Sequence, residues 1–514
     1  MKTTRLPLLP AVVRERAQST PDAPAVVAGA SELSYADLQA LVAALNGRLR
    51  HHGVRTGDRV AILGLNSIEW VVAFLACLDA GAVAAPLSYR LSPYELEQQI
   101  TLLQPRLVLA DEEFLESVTA GARSAGATLL PLTGLDSGRE SVWAGRSAGA
   151  VTAAVTPASH ALISFTSGST GAPKGAVITH EGLVSAAGAY VEAMGTSEDD
   201  RTLAMVPLFH NTGFCDQLAH MLLVGGTVDL LPAFGVAAAR EALLRQPSTF
   251  LIGVPGILRL LTTSEGGEEI FSACRIACYG GSPMPEAWIQ DIASRWPHLR
   301  LYNSYGLTEF TSVSHLLDPR DLPEHSGTVG RPVPGAEQRV VEADGSQLPA
   351  GEVGSLLLAG PSRMKKYWRD RARTSEVTRG RWLVTGDLGS VSEDGFLTLV
   401  GRASEVINRG GEKVSPLQVE AALSLLPEIA EAAVVGAPHP VFGERVVAFV
   451  ALRDRHELDA DAVRTQLART VADFAVPERF FVLDHLPRGS TGKVDRRALC
   501  ASAEAAVAAE SARC

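Results

Sequence analysis

Two rhythms of hydrophobic and polar positions alternate along the first 130 residues. Residues 35–50 place apolar side chains at helical spacing, 59–65 form a short apolar run, 68–80 return to helical spacing, and 107–110 read as another strand. Strands that alternate with amphipathic helices predict a largely parallel sheet covered on both faces, an α/β class. Residues 137–159, rich in Ala, Gly, Ser and Thr, predict a loop between subdomains. The pattern resumes with a strand at 161–165 and further strand candidates at 204–207, 226–231, 249–254 and 276–279. From 330 to 360 it changes to short strands with turn signals at Asp344-Gly345 and Ala350-Gly351, which predicts a small antiparallel, barrel-like subdomain. A compact helix–strand unit follows Gly401, so the expected domains are 1–401 and 402–500, with an Ala-rich tail at 501–514 expected to fray into disorder.

Composition narrows the class. At 514 residues the chain exceeds one ordinary core, and 46% hydrophobic with 20% charged residues describes a globular protein. A formal charge of −11 argues against broad nucleic-acid or anionic-membrane binding, so no nucleic-acid partner is expected. The six cysteines are scattered without a C-x-x-C pair, which fits a reduced, cytoplasmic setting. The apolar stretch at 6–13 is broken by Pro7 and Pro10 and makes a poor signal peptide. The apolar run at 71–86 contains Asp79, Gly81 and Pro86, so it predicts a buried helix and turn rather than an integral membrane span.

The stretch Phe165-Thr166-Ser167-Gly168-Ser169-Thr170-Gly171-Ala172-Pro173-Lys174-Gly175 follows a predicted strand. Three glycines let backbone N–H groups turn toward a phosphate, four hydroxyls can donate to its oxygens, and Lys174 supplies charge. The spacing is not that of a Walker A loop. An ordinary Ser/Gly surface turn has the same composition; the order of the residues is what separates the two.

That order resembles the phosphate-binding signature of the adenylate-forming (AMP-binding) superfamily, which contains acyl-CoA synthetases, peptide-synthetase adenylation domains and beetle luciferases. Further signatures follow in order: Leu208-Phe209-His210-Asn211, Tyr305-Gly306-Leu307-Thr308-Glu309, Thr385-Gly386-Asp387, Gly401-Arg402, Asn408-Arg409-Gly410-Gly411-Glu412-Lys413 and Gly492-Lys493. The resemblance covers about residues 34–499. It implies a large N-terminal domain of two parallel-type sheets with helices plus the small β-barrel-like subdomain, and a small mobile α+β C-terminal lid.

The implied reaction joins a carboxylic acid to AMP at the expense of MgATP, then passes the acyl group to coenzyme A. Both reactants of the first step are anions, so charge neutralisation and in-line positioning should dominate. The resemblance implies Glu309 as the Mg²⁺ ligand and Thr308 as a donor to the α-phosphate. Lys493, an ordinary protonated lysine in a mobile loop, is implied to bridge the carboxylate and the α-phosphate. Asp387 is implied to accept from the ribose hydroxyls, with Arg402 adding a ribose or phosphate contact. Gly281, Ser282, Pro283, Asn303, Ser304, Tyr305 and Gly306 are implied at the nucleotide, with Tyr305 offering an aromatic face. His210 resembles the gate between acyl pocket and coenzyme A tunnel. Thr212, Gly253, Gly280 and Gly306 are acyl-pocket candidates, and the segments around them admit an aryl, a medium-chain or a bulky alicyclic acid.

In the second half-reaction the lid is implied to swing about a hinge at Ser404 and to bring Arg409, Gly410, Gly411 and Lys413 to coenzyme A. Relatives place Lys or Asp where this chain has Ser404, followed by an Asp where it has Glu405. An amino-acid-activating domain would need an acidic partner for the substrate ammonium near Phe209-His210, and no carrier domain is expected to follow. A ligase that loads a separate carrier protein is the alternative acceptor reading. A non-enzymatic nucleotide sensor is opposed by the joint presence of Lys174, Glu309, Asp387, Arg402 and Lys493. Lys493→Ala is expected to remove most adenylation while leaving ATP binding largely intact; pyrophosphate release at the wild-type rate contradicts the assignment.

Overall fold

The helical rhythm at 35–50 becomes the helix Tyr35–His51, opened by Ser34 and Asp37 in a reciprocal capping box. Ile68–Ala80 is the second helix; the Ser67 hydroxyl caps it, and Gly81, at φ +71°, ends it in the left-handed region. All its residues except Glu69 are buried, as a helix apolar on every side requires. Trp70 stacks on Phe74 at 5.3 Å and Phe74 meets Phe214 at 5.9 Å, which joins this helix to the main core.

This computed structural model describes residues 7–132, 155–167, 173–410, 412–453, 457–489 and 494–511. A nine-stranded sheet has at its centre Phe250–Gly253, Ile276–Gly280 and Arg300–Gly306, mutually parallel, with Arg201–Ala204, Thr227–Leu230 and Pro24–Ala28 continuing the parallel set. Ser31–Ser34 closes one edge antiparallel; Val313–Leu317 and Arg331–Pro332 close the other. A seven-stranded sheet runs Lys366–Tyr367, Pro173–Thr179, His160–Ser167, Val83–Leu87, Arg59–Leu63, Leu107–Ala110 and Thr128–Pro131. Its last five strands are parallel, and its first two pairings are antiparallel. A five-stranded sheet contains Glu337–Val341, Gly354–Ala359, Trp382–Val391, Thr378–Arg379 and Leu397–Arg402.

The chain divides into two compact units: 1–282, 290–338 and 358–383 in one, and 283–289, 339–357 and 384–514 in the other. The first holds the nine- and seven-stranded sheets with their apolar cores. The second holds a sheet built on the long antiparallel pair Ile429–His439 and Gly443–Leu452, with Arg479–Leu483 parallel beside it. Its core gathers Val419, Leu423, Val434, Val446 and Val450 on one side of that sheet.

The stretch from Leu9 is a helix to Ser19, because its proline falls in the first turn, where no N–H is needed. The final helix runs Arg496–Ser511. The Ala-rich segment expected to fray is therefore helical over 501–511, as its alanines favour. No helix among the described residues is long and apolar enough to cross a membrane. Cys77, Cys215, Cys274, Cys278 and Cys500 are all unbridged.

One of the buried carboxyls of the first unit is pushed strongly from its ordinary pKa. Asp216 lies on the π-helical stretch Thr212–Ala219 and accepts from the Ser312 hydroxyl at 2.7 Å. Burial pushes its pKa from 3.8 up to about 7, against the lowering pull of hydrogen bonds that include Ser312 and Tyr190. The folded state therefore binds this proton more tightly than the unfolded chain does. The associated stability is complete below about pH 3.8 and is lost as pH rises through about 7. Asp216→Asn should gain thermal stability relative to wild type as pH rises from 4 to 7 and then keep a level difference; a pH-independent difference contradicts this.

Candidate nucleotide and acyl site

The proposed phosphate loop joins two antiparallel strands, His160–Ser167 and Pro173–Thr179. Their register sets Thr166 opposite Lys174 and Phe165 opposite Gly175, so the hydroxyl and the cation stand at the mouth of the loop. Gly168, Ser169, Thr170 and Gly171 lie outside the described residues, and Ser167 is described by its backbone pairing with Pro173. On the far side of Pro173–Thr179, Tyr367 pairs with Ala176. Alternate residues of a strand share a face, and the Lys174 Nζ accordingly lies 5.8 Å from the centre of the Tyr367 ring.

Thr308 and Glu309 sit on one 3₁₀ turn, Thr308–Phe310, directly after the strand Arg300–Gly306. Gly306 allows this sharp exit, since a Cβ there would run into the backbone of Ser312 and Val313. Thr311 closes the turn at φ +66°, a conformation that costs a β-branched residue about 1–3 kcal/mol. The surroundings hold it there. Its hydroxyl donates to the Ser362 carbonyl at 2.6 Å, and its carbonyl accepts from the Asn211 side-chain amide. Asn211 also accepts from Ser164 at 2.7 Å, so one amide ties the phosphate-loop strand to the Glu309 turn. The Met364 N–H donates to the Glu309 carbonyl at 2.8 Å, and the Tyr367 hydroxyl donates to Glu309 Oε1 at 2.6 Å.

The remaining candidates of this unit gather where the parallel strands of the large sheet end. Gly253 ends Phe250–Gly253, Gly280 ends Ile276–Gly280 with Gly281 and Ser282 after it, and Ser304, Tyr305 and Gly306 end Arg300–Gly306. Such carboxyl ends are where α/β sheets receive ligands. A Cβ at Gly280 would strike Ser304. Asn303 instead donates its amide to the Thr328 carbonyl at 3.2 Å, and Tyr305 faces the His315 ring at 5.7 Å. His210 lies half-buried 4.5 Å from Phe209, which meets Tyr89 edge-on at 5.2 Å. Thr212 opens the π-helical stretch immediately after it.

The second unit holds the other candidates. Asp387 and Arg402 are cross-strand partners joined by an ion pair of 2.9 Å, and Arg402 also donates to the Thr385 carbonyl at 3.0 Å. Ser404 lies in the turn after Arg402, where Glu405 pairs with Arg496 at 3.3 Å. The Arg409 guanidinium holds Glu478 at 2.8 Å and lies 5.1 Å from the Phe442 ring. Gly410 has φ +63° and donates to the Phe442 carbonyl. Lys413 pairs with Asn408 along the backbone. Pro283 belongs to this second unit, while Gly411 and Lys493 lie outside the described residues.

Residues 13–368 match the AMP-binding enzyme family, and residues 418–493 match the AMP-binding enzyme C-terminal domain. The chain is an AMP-binding enzyme. Indoleacetate–CoA ligase of Aromatoleum aromaticum is 34% identical to it over 469 residues, 90% of this chain and 92% of that one. Feruloyl-CoA synthase of an Amycolatopsis species is 34% identical over 483 residues, 93% and 96% of the two chains. The crystal structure of ATP-bound MatB from Rhodopseudomonas palustris shares 30% identity and a TM-score of 0.89 over 96% of this chain and 98% of that one. The mixed α/β architecture, with a large N-terminal and a small C-terminal domain, is that of these structures.

Magnesium is the cation implied for this AMP-binding enzyme, and the donor set fits it. Among the described residues no cluster of three or more His, Cys, Asp or Glu is placed to hold a metal by itself. A lone carboxylate such as Glu309 suits an ion that completes its shell with phosphate oxygens and water.

Two residues had no role assigned from the sequence. Asn211 stood within a recognised signature, but its partners are far away in the chain. Tyr367 sits on a two-residue strand, too short to show a period. Asn211→Ala would orphan the Thr311 carbonyl and the Ser164 hydroxyl, at a cost of about 1–3 kcal/mol. Chemical unfolding of the N-terminal unit should show that loss, and unchanged stability contradicts the tie.

Proposed function

We propose that the chain is an ATP-dependent, AMP-forming acid–CoA ligase that works in the cytoplasm on an aromatic carboxylic acid. One observation carries the reading: within a single unit, Tyr367 touches both Lys174 at the mouth of the phosphate loop and Glu309 on the turn after the central strand. The phosphate cation and the candidate metal ligand are thereby held on one rigid frame.

In the first step a carboxylate oxygen attacks the α-phosphorus of ATP, the bond to the pyrophosphate oxygen breaks, and acyl-AMP and pyrophosphate result. Thr166, the loop amides and Lys174 hold the outgoing phosphates. Thr308 donates to the α-phosphate, and Lys493 meets the charge that builds between the two anions. Glu309 would hold Mg²⁺, which would neutralise phosphate charge. Tyr305 and the Gly281–Ser282 turn face the adenine, while Asp387 takes the ribose hydroxyls with Arg402 beside it. In the second step the coenzyme A sulfur attacks the acyl carbonyl, its proton is lost, and AMP leaves. His210 stands at the tunnel, and Arg409 and Lys413 serve the coenzyme.

The aromatic class is supported by two of the named relatives, whose acids are indoleacetate and ferulate. It is supported as well by the Phe209–His210 pair, whose rings lie 4.5 Å apart. Unbridged cysteines agree with a reducing compartment. A panel of aryl, straight-chain and small aliphatic acids, assayed with and without coenzyme A, tests the reading. Aryl acids should give AMP and acyl-CoA together. AMP formation without consumption of coenzyme A would point to a carrier-protein acceptor, and turnover of small aliphatic acids alone would refute the aromatic class.

A further inference from the structure

We propose that Tyr367 is a positioning residue for the Glu309 carboxylate, fixing which of its oxygens faces the magnesium of MgATP. The inference rests on the reading of Glu309 as the metal ligand. The Tyr367 hydroxyl donates to Glu309 Oε1 at 2.6 Å, a short, charge-assisted bond. Mg²⁺ demands near-ideal octahedral geometry. A carboxylate with one oxygen committed to a phenol presents the other in a single orientation, rather than rotating or offering both.

The phenol itself is held firmly. Its ring is buried, with 4% of the residue exposed, so it has little room to swing away. Its backbone N–H donates to the Thr374 hydroxyl at 3.0 Å. On either side of the Lys366–Tyr367 strand, Lys365 and Trp368 donate to the carbonyls of Val177 and Gly175 at 2.7 Å. The segment that carries the phenol is thus stapled to the strand that leaves the phosphate loop. The same segment grips the Glu309 turn by its backbone, through Met364 to the Glu309 carbonyl and through the Ser362 carbonyl to Thr311. Lys174 lies against the ring while the hydroxyl reaches the carboxylate. Tyr367 therefore sets the spacing between the cation that meets the phosphates and the carboxylate that meets the metal. Partners of metal ligands act in this way, and their loss typically costs about 10–100-fold in metal affinity.

The test is calorimetric titration of the full chain with ATP, once with Mg²⁺ and once with EDTA. The readout is the ratio of the two dissociation constants. Tyr367→Phe keeps the ring, its burial and its contact with Lys174, and circular dichroism with a thermal midpoint checks its fold. It should shrink the ratio by about tenfold or more while leaving the EDTA value near wild type. Glu309→Gln should also collapse the ratio, and the double variant should lose no more than Glu309→Gln alone. If Glu309→Gln collapses the ratio and Tyr367→Phe keeps the wild-type value, the positioning role is overturned and the metal-ligand reading survives. If Glu309→Gln keeps the ratio, the metal-ligand reading falls and takes this inference with it. If Tyr367→Phe weakens ATP equally with and without Mg²⁺, the tyrosine serves packing only and the inference is overturned.

Discussion

Bringing a carboxylate up to a triphosphate sets two anions against each other, and that repulsion is the constraint on which the proposed site depends. Donors and cations must be in place before the reactants arrive, because a group that reorients during the reaction gives up part of its stabilisation. Placing them on rigid elements is the solution seen here. The Thr166–Lys174 pair is set by strand register, and the Glu309 turn is set by hydrogen bonds at Thr311, Ser362 and Met364. The left-handed Thr311 is informative in this light. A strained residue persists only where its neighbours over-determine it, and here two of its polar groups are held by Asn211 and Ser362.

The second unit shows a different economy. Its candidate groups are satisfied internally: Asp387 by Arg402, Arg409 by Glu478, and Glu405 by Arg496. Arg496 also meets the half-buried Glu420, whose pKa desolvation raises. Arg496 thus joins Glu405, in the turn after Arg402, to Glu420.

The candidate site could be read from the sequence because each signature joins residues that are close along the chain. Phe165–Gly175 spans one strand pair, and Tyr305–Glu309 spans one strand end and its turn. The helices Tyr35–His51 and Ile68–Ala80 were legible from the period of their apolar residues. Long-range ties were not. The Asn211 amide joins residues 47 and 100 positions away, and the Tyr367 phenol reaches 58 positions back to Glu309. No local pattern encodes such distances. The strand Trp382–Val391 also escaped notice, since Gly386 and Gly389 break its apolar rhythm. The π-helical turn at Thr212 was hidden as well, because a helix of that kind keeps no 3.6-residue period.

Adenylation at this site requires the passage of a carboxylate oxygen to AMP. With an aryl acid labelled with ¹⁸O in its carboxylate, together with ATP, Mg²⁺ and coenzyme A, mass spectrometry of the products follows that oxygen. Attack on the α-phosphorus and thiolysis of the acyl-AMP place one labelled oxygen in the AMP phosphate and leave the other in the thioester. ADP in place of AMP, with the label in a phosphate cleaved from the γ-position, would contradict adenylation and with it the role assigned to the whole site.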